Sequence, residues 1–147
     1  MSDFRNFVET HERDLNNYAD SCALYFGTEP ASNEMTTITY EVMITKEKYV
    51  GILYTKEQEG SNYEKVSTLI THNWAGKQIS EVEFNFKKSS DSNSESNDCV
   101  FDNDNCFTCN YINKEVSGVN SNEITNTKTK TRSYRINNQG VITEIAK

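Results

Sequence analysis

No stretch of this sequence approaches the roughly 20 consecutive apolar residues that crossing a bilayer requires. Its opening, Met1-Ser2-Asp3-Phe4-Arg5-Asn6-Phe7, also lacks the basic and then apolar regions of a secretory signal. The chain is therefore expected in a reducing cytoplasm, with its four cysteines as thiols. Basic charge is scarce as well: 15 Lys and Arg against 22 Asp and Glu leave a formal charge of −7. A protein that wraps nucleic acid needs a cationic face to displace counterions, so that class is disfavoured. The one basic stretch, Lys128, Lys130, Arg132 and Arg135, is short and spaced by Thr and Ser.

Two histidines leave little material for acid–base catalysis. His11 falls on the apolar side of a helical pattern and reads as a core residue, while His72 stands beside a turn and reads as exposed. No Gly-rich phosphate loop, Gly-x-Ser-x-Gly elbow or His-Glu-x-x-His pair occurs, so hydrolase, kinase and dehydrogenase readings have no motif to stand on. The pair Cys106-Phe107-Thr108-Cys109, with Cys99 upstream, invites a metal reading. A structural zinc site wants four ligands, usually as two such pairs, and Cys22 and both histidines lie at the wrong spacing. Within a strand, residues 106 and 109 point to opposite faces. Buried or half-buried thiols are the expected state, with no metal.

What the chain does have is aromatic weight. Eight Tyr, seven Phe and one Trp bury large areas and suit a pleated surface. At 147 residues there is enough chain for one domain with its own core, so residues 1–147 are read as a single unit. Phe4, Phe7, Val8, His11, Leu15, Tyr18, Ala19 and Cys22 recur at helical spacing, which predicts one helix over 3–26, stopped by Gly27 and Pro30. From there the period changes to two. Strands are expected at 37–44, 49–58, 63–71, 78–86, 106–112, 115–119, 123–136 and 141–146. Residues 87–98, almost wholly Ser, Asn, Asp, Glu and Lys, read as a mobile polar loop. About eight strands suffice to close a small barrel around a pocket. The expected fold class is thus mainly β: a small antiparallel β-barrel, calycin- or lipocalin-like, with one N-terminal α-helix. An open sheet capped by the helix is the competing arrangement.

Residues 123–136 have no oily face. Asn126, Lys128, Lys130, Arg132 and Tyr134 alternate with Thr125, Thr127, Thr129, Thr131 and Ser133. Such a strand either faces solvent or lines a polar cavity. In the cavity reading, Tyr40, Tyr54, Tyr63 and Trp74 offer flat surfaces to a conjugated ligand, and Arg132 or a neighbouring Lys pairs with its carboxylates.

Several short segments resemble the phycobiliprotein lyases, and the T-type within that family. Leu15-Asn16-Asn17-Tyr18-Ala19 is similar to its Leu-x-x-Tyr element. Tyr54-Thr55-Lys56-Glu57-Gln58 and Tyr63-Glu64-Lys65-Val66 are similar to its Tyr-x-Glu-Gln strand end and the segment that follows. Cys99-Val100-Phe101 is similar to its Cys-x-Phe element. An extra residue separates Tyr54 from Glu57, the arginines of the second segment are missing, and the resemblance touches about half of the chain. Arg132, Arg135, Glu144 and Ile145 are similar instead to the end of the S-type. The resemblance implies a barrel that binds an open-chain tetrapyrrole (a bilin, such as phycoerythrobilin) and positions it for thioether attachment to a cysteine of a phycobiliprotein subunit. It implies Glu57 as the catalytic carboxylate on the pyrrole N–H groups. Tyr40, Tyr54, Gln58, Tyr63, Trp74, Arg132 and Tyr134 would contact the ligand. The bilin is then ligand or substrate and no cofactor is permanently held. A cyanobacterium or its virus is the source this implies, which suits an Asn- and Lys-rich chain with one Pro. Two other readings stay open: a barrel holding another apolar ligand without chemistry, and an interaction module, with a homodimer through edge strands also possible.

Overall fold

The computed structural model describes residues 3–29, 35–60, 62–103, 105–117 and 124–145. The expected helix stop at Pro30 and the expected strand residues 118–119, 123 and 146 lie outside these. The single helix expected over 3–26 is divided into α1 (Asp3–His11), a 3₁₀ turn at Leu15–Tyr18 and α2 (Ala19–Phe26). The run between them, Glu12-Arg13-Asp14-Leu15-Asn16-Asn17, is rich in Asp and Asn, whose side chains compete with the helical backbone for hydrogen bonds. Asp14 and Asn17 close tight turns, each N–H donating to the carbonyl three residues back, at 2.9 and 3.0 Å. The Asn16 side chain turns outward and its Oδ1 accepts the Tyr40 N–H at 2.8 Å. Helix α2 ends at Gly27, whose φ of 70° is left-handed and whose N–H donates to the Ala23 carbonyl.

Eight strands follow: β1 (Thr36–Thr45), β2 (Tyr49–Gln58), β3 (Tyr63–Asn73), β4 (Gln78–Ser89), β5 (Asn93–Asn103), β6 (Cys106–Ser117), β7 (Ile124–Ile136) and β8 (Ile142–Ile145). Each pairs antiparallel with the next in chain order, giving one eight-stranded meander. The described residues include no ladder between β1 and β8, so the sheet is open and not the closed barrel expected. It is nevertheless strongly curled. Thr71 Oγ1 donates to the Gly140 carbonyl at 2.6 Å, and the Ile142 N–H donates to Ser80 Oγ at 3.2 Å, which brings the last turn and β8 against β3 and β4. Gly140 permits this approach: its φ is 87°, and a Cβ there would sit 2.9 Å from Tyr49 Cγ and Ile79 Cδ1.

Strand β2 explains why both sides of the sheet are covered. Val50 and Ile52 point to one face and meet Phe4, Phe7, Val8, Leu15, Cys22 and Phe26 from the helical segment. Tyr49 and Leu53 point to the other and join Leu69, Phe84, Phe107 and Ile136. A strand apolar on both faces must be covered on both, here by the helices and by the curl of the sheet's own second half.

Residues 87–98 are not a mobile loop. They form the end of β4, a turn at 90–92 and the start of β5, with Lys87 opposite Ser96 and Phe86 opposite Asn97. Polar composition was misleading because this hairpin is stabilised by backbone pairing, with buried Asn97 donating through Nδ2 to the Phe84 carbonyl at 2.6 Å. The segments expected at 106–112 and from 115 onward are, through Ser117, correspondingly one strand, β6.

The cysteines also depart from expectation. Cys99 on β5 and Cys109 on β6 face each other across the ladder and are joined by a disulfide, leaving Cys22 and Cys106 as free thiols. A disulfide suits an oxidising compartment better than the reducing cytoplasm expected. Burial pushes the Cys22 thiol up to about 11, so it stays protonated and inert. Closing a loop of 10 residues is expected to stabilise the fold by about 2.5 kcal/mol on chain-entropy grounds. Urea unfolding with and without a thiol reductant should show that difference. An unchanged midpoint would mean that no bridge forms.

Candidate functional site

The concave side of the curled sheet carries a groove of about 610 Å³ between β4 and β7. Its cationic wall follows from the pleat. On β7, residues 128, 130, 132, 134 and 136 share a face. Ile136 and Tyr134 belong to the inner core, so Lys128, Lys130 and Arg132 line up beyond them on the same side. In register, Lys130 stands opposite Tyr111 and Arg132 opposite Cys109. The rest of the lining mixes apolar and polar groups: Val82, Glu83 and Phe86 from β4, Asn97 from β5, Tyr111 from β6 and Thr129 from β7. Phe86 and Tyr111 are in ring contact at 6.0 Å, and Tyr134 stacks on Phe107 at 5.0 Å with an interplanar angle of 18°. One face of Tyr134 is therefore fixed by the core while the ring borders the groove.

Carboxylates temper the cations. Glu83 also lines the groove, and Glu144 Oε1 on β8 lies 3.9 Å from Arg132 Nε with both side chains about half exposed. Tyr111 donates its hydroxyl to Glu95, a bond that raises the phenol pKa and keeps it a donor at neutral pH. Lys128 and Lys130 make no ion pair among the described residues. The site can thus take an anionic group at its rim and a flat apolar body along its floor.

A larger cavity of about 850 Å³ lies at one end of the sheet, among the turns at Lys46, Lys48, Asn103 and Asn137. Two of its four asparagines are already committed to those turns. Asn137 Oδ1 accepts from the Gln139 and Val141 N–H groups, and Asn103 Oδ1 from the Asn105 N–H, each at 2.9–3.0 Å. The groove is the better candidate for that reason. Comparison with known families, characterised proteins and solved structures returned no match.

The residues proposed from sequence do not converge. Only Arg132 and Tyr134 border the groove. Tyr40 is buried under the helices, its hydroxyl 2.7 Å from Thr28 Oγ1, and Tyr54 packs against it at 5.5 Å. Burial raises the pKa of both phenols. Trp74 donates its indole N–H to the Lys46 carbonyl at 2.9 Å and lies under the Arg5 guanidinium at 4.8 Å, bracing a turn. Glu57 and Gln58 sit at the far end of β2, where Glu57 accepts the Tyr63 hydroxyl at 2.6 Å. That bond raises the Tyr63 pKa. Glu57 and Arg132 are thus separated by four intervening strands. Val82, Glu83, Phe86, Asn97 and Tyr111 are groove residues that sequence reasoning missed. Their only signal was alternation within strands, which does not show which strands face each other. Among the described residues no group of three or more His, Cys, Asp or Glu is placed to hold a metal.

His72, expected on the surface, is 1% exposed. Its ring lies 5.4 Å from Phe4 and 5.7 Å from Phe26, Nε2 is 3.3 Å from the Phe26 carbonyl, and Nδ1 has no hydrogen-bond partner among the described residues. Burial lowers its pKa below 6.5, against a smaller opposing effect of the Phe26 carbonyl. A base with a depressed folded pKa is protonated first in the unfolded chain. Its stability contribution is therefore intact above pH 6.5 and declines as pH falls from there toward the folded value. Urea midpoints at pH 7.5 and 5.5 should differ more for the wild type than for His72→Gln. Equal differences would show that His72 is not protected from protonation.

Proposed function

We propose that this protein binds an elongated anionic ligand with a flat conjugated body in the groove between β4 and β7, and that an open-chain tetrapyrrole is that ligand. The observation that carries the reading is the row Lys128, Lys130 and Arg132 set beside the aromatic surface of Phe86, Tyr111 and Tyr134. A bilin carries propionates for the cations and a conjugated chain for the rings. The resemblance of Leu15, Tyr18, Tyr54, Glu57 and Gln58 to lyase elements points to the same ligand class, and a curled antiparallel meander suits the calycin-like plan of that family.

Delivery of the bilin to a phycobiliprotein subunit is the further part of this reading. It needs no nucleophile from this chain. The acceptor's thiol would add across an exocyclic carbon–carbon double bond of the bilin, forming the carbon–sulfur bond while the thiol proton passes to the neighbouring carbon. The contribution of the groove would be to hold the chain extended, orient its reacting end and limit access of water. Glu57, bonded to Tyr63 at the far end of β2, takes no part in this version of the mechanism.

Titration with a purified bilin, followed by visible absorption, tests the binding step. A saturable shift in the spectrum is expected. Arg132→Ala removes a partner for a propionate, and charge-assisted hydrogen bonds contribute about 1.5–3 kcal/mol, so affinity should fall about tenfold or more. Tyr40→Phe, which changes only a hydroxyl under the helices, should bind as the wild type does. No spectral change with any bilin, or equal affinity in Arg132→Ala, would remove the groove from consideration as a bilin site.

A further inference from the structure

The outer edge of β7 is only partly paired. The strand runs Ile124–Ile136, but β8 pairs only with Ser133, Tyr134, Arg135 and Ile136. The Ile136 N–H donates to the Asn105 carbonyl on the β6 side at 2.8 Å. In an antiparallel ladder the backbone polar groups alternate, so Tyr134, Arg132, Lys130 and Lys128 also turn theirs toward β6. The N–H and C=O groups of Thr131, Thr129, Thr127 and Thr125 therefore face away from β6, and among the described residues no strand pairs with them. A row of such groups is a template for another strand.

The side chains select what can add there. Lys128, Lys130 and Arg132 lie along one face of this edge, and no acidic residue occurs within β7. Pairing with a second copy of the same edge would set like charges across the new ladder, which is unfavourable. An acidic strand meets the opposite situation. Strand β8 supplies the precedent: Glu144, in register with Tyr134, places its carboxylate 3.9 Å from Arg132.

We propose that the edge of β7 from residue 125 to 131 captures an extended acidic peptide segment as an added antiparallel strand, in line with β8. Its outward backbone groups bond to Thr127, Thr129 and Thr131, and its alternate Asp or Glu side chains lie over Lys128, Lys130 and Arg132. This inference shares the cations Lys128, Lys130 and Arg132 with the bilin reading but is separable from it, because it also requires the edge backbone, which a small ligand in the groove does not.

The test uses the full chain and two blocked peptides of about nine residues, one alternating Glu and Thr and the other Lys and Thr, followed by fluorescence anisotropy. The acidic peptide is expected to bind at least tenfold tighter than the basic one. At saturation it should slow amide exchange at Thr127, Thr129 and Thr131. Thr127→Pro deletes an outward N–H without costing a bond to β6, and should weaken the acidic peptide about tenfold while leaving bilin titration unchanged. Lys128→Glu combined with Lys130→Glu should reverse the peptide preference. Equal binding of the two peptides overturns the proposal, as does undiminished binding by a folded Thr127→Pro variant. If that variant does not fold, unslowed exchange at the three threonines of the wild type overturns it instead. A protein that binds the acidic peptide but no bilin retains this inference and loses the ligand reading alone.

Discussion

The structure depends on one constraint: the strand from Tyr49 to Gln58 begins with apolar side chains on both of its faces. Val50 and Ile52 are fully buried on one side, and Tyr49 is 2% exposed on the other. A single sheet cannot shield both. The N-terminal segment covers the first face with Phe4, Phe7, Leu15 and Phe26, and the C-terminal strands curl over the second with Phe84, Phe107 and Ile136. Fully burying each such side chain stabilises by about 1.5–3 kcal/mol. The two cores are therefore large contributors, and both are anchored on β2. Gly76 and Gly140 sit where these covers close. Each has a positive φ, and a Cβ would come within 3.1 Å of Phe4 at the first and within 2.9 Å of Tyr49 at the second.

With the apolar requirement met near β2 and β3, the later strands are free to be polar. Strands β5 and β7 carry few core residues, and their cohesion comes from long backbone ladders with β6, the Cys99–Cys109 disulfide and the stack of Tyr134 on Phe107. The groove is a consequence of this division. Toward one end of the sheet, Phe107 and Ile136 fill the interior; farther along β7, Arg132, Lys130 and Lys128 replace them and leave space. The same substitution of charge for bulk leaves the cavity and lines one side of it with cations.

How much of this was legible in the sequence follows from the range of each physical signal. Local periodicity placed β2 at its observed bounds and brought β1, β3 and β4 within a few residues, because alternation is a property of adjacent positions. The hairpin at 87–98 was invisible, since its residues are held by backbone pairing with each other and with β6, which polar side chains do not signal. The disulfide was missed for a similar reason: Cys106 and Cys109 are close in sequence, but the bonded partner of Cys109 is set by the β5–β6 register. At the site, the alternation of Lys128, Lys130, Arg132 and Tyr134 was readable, whereas the opposing wall of Val82 and Phe86 depends on curvature. Tyr40, Tyr54 and Trp74 were placed with a ligand because aromatic residues suit one, yet the helices and a turn already use them.

The charge distribution reconciles a net-anionic protein with an anion-accepting site. The chain as a whole carries a formal −7, which repels an acidic ligand at long range. At physiological ionic strength the Debye length is about 8 Å, so that repulsion is largely screened until the ligand is near the surface. Within that distance the local charges decide, and β7 offers Lys128, Lys130 and Arg132 on one face with no acidic residue in the strand. Glu83 and Glu144 lie close enough to weaken, but not cancel, this cationic field. A compact ligand carrying a single charge would gain little against those carboxylates. A ligand or strand with negative charges repeated along its length can engage several cations at once while the neighbouring carboxylates exclude ill-matched partners. In the proposed readings, selectivity therefore rests on the spacing of charge along the bound molecule more than on its total.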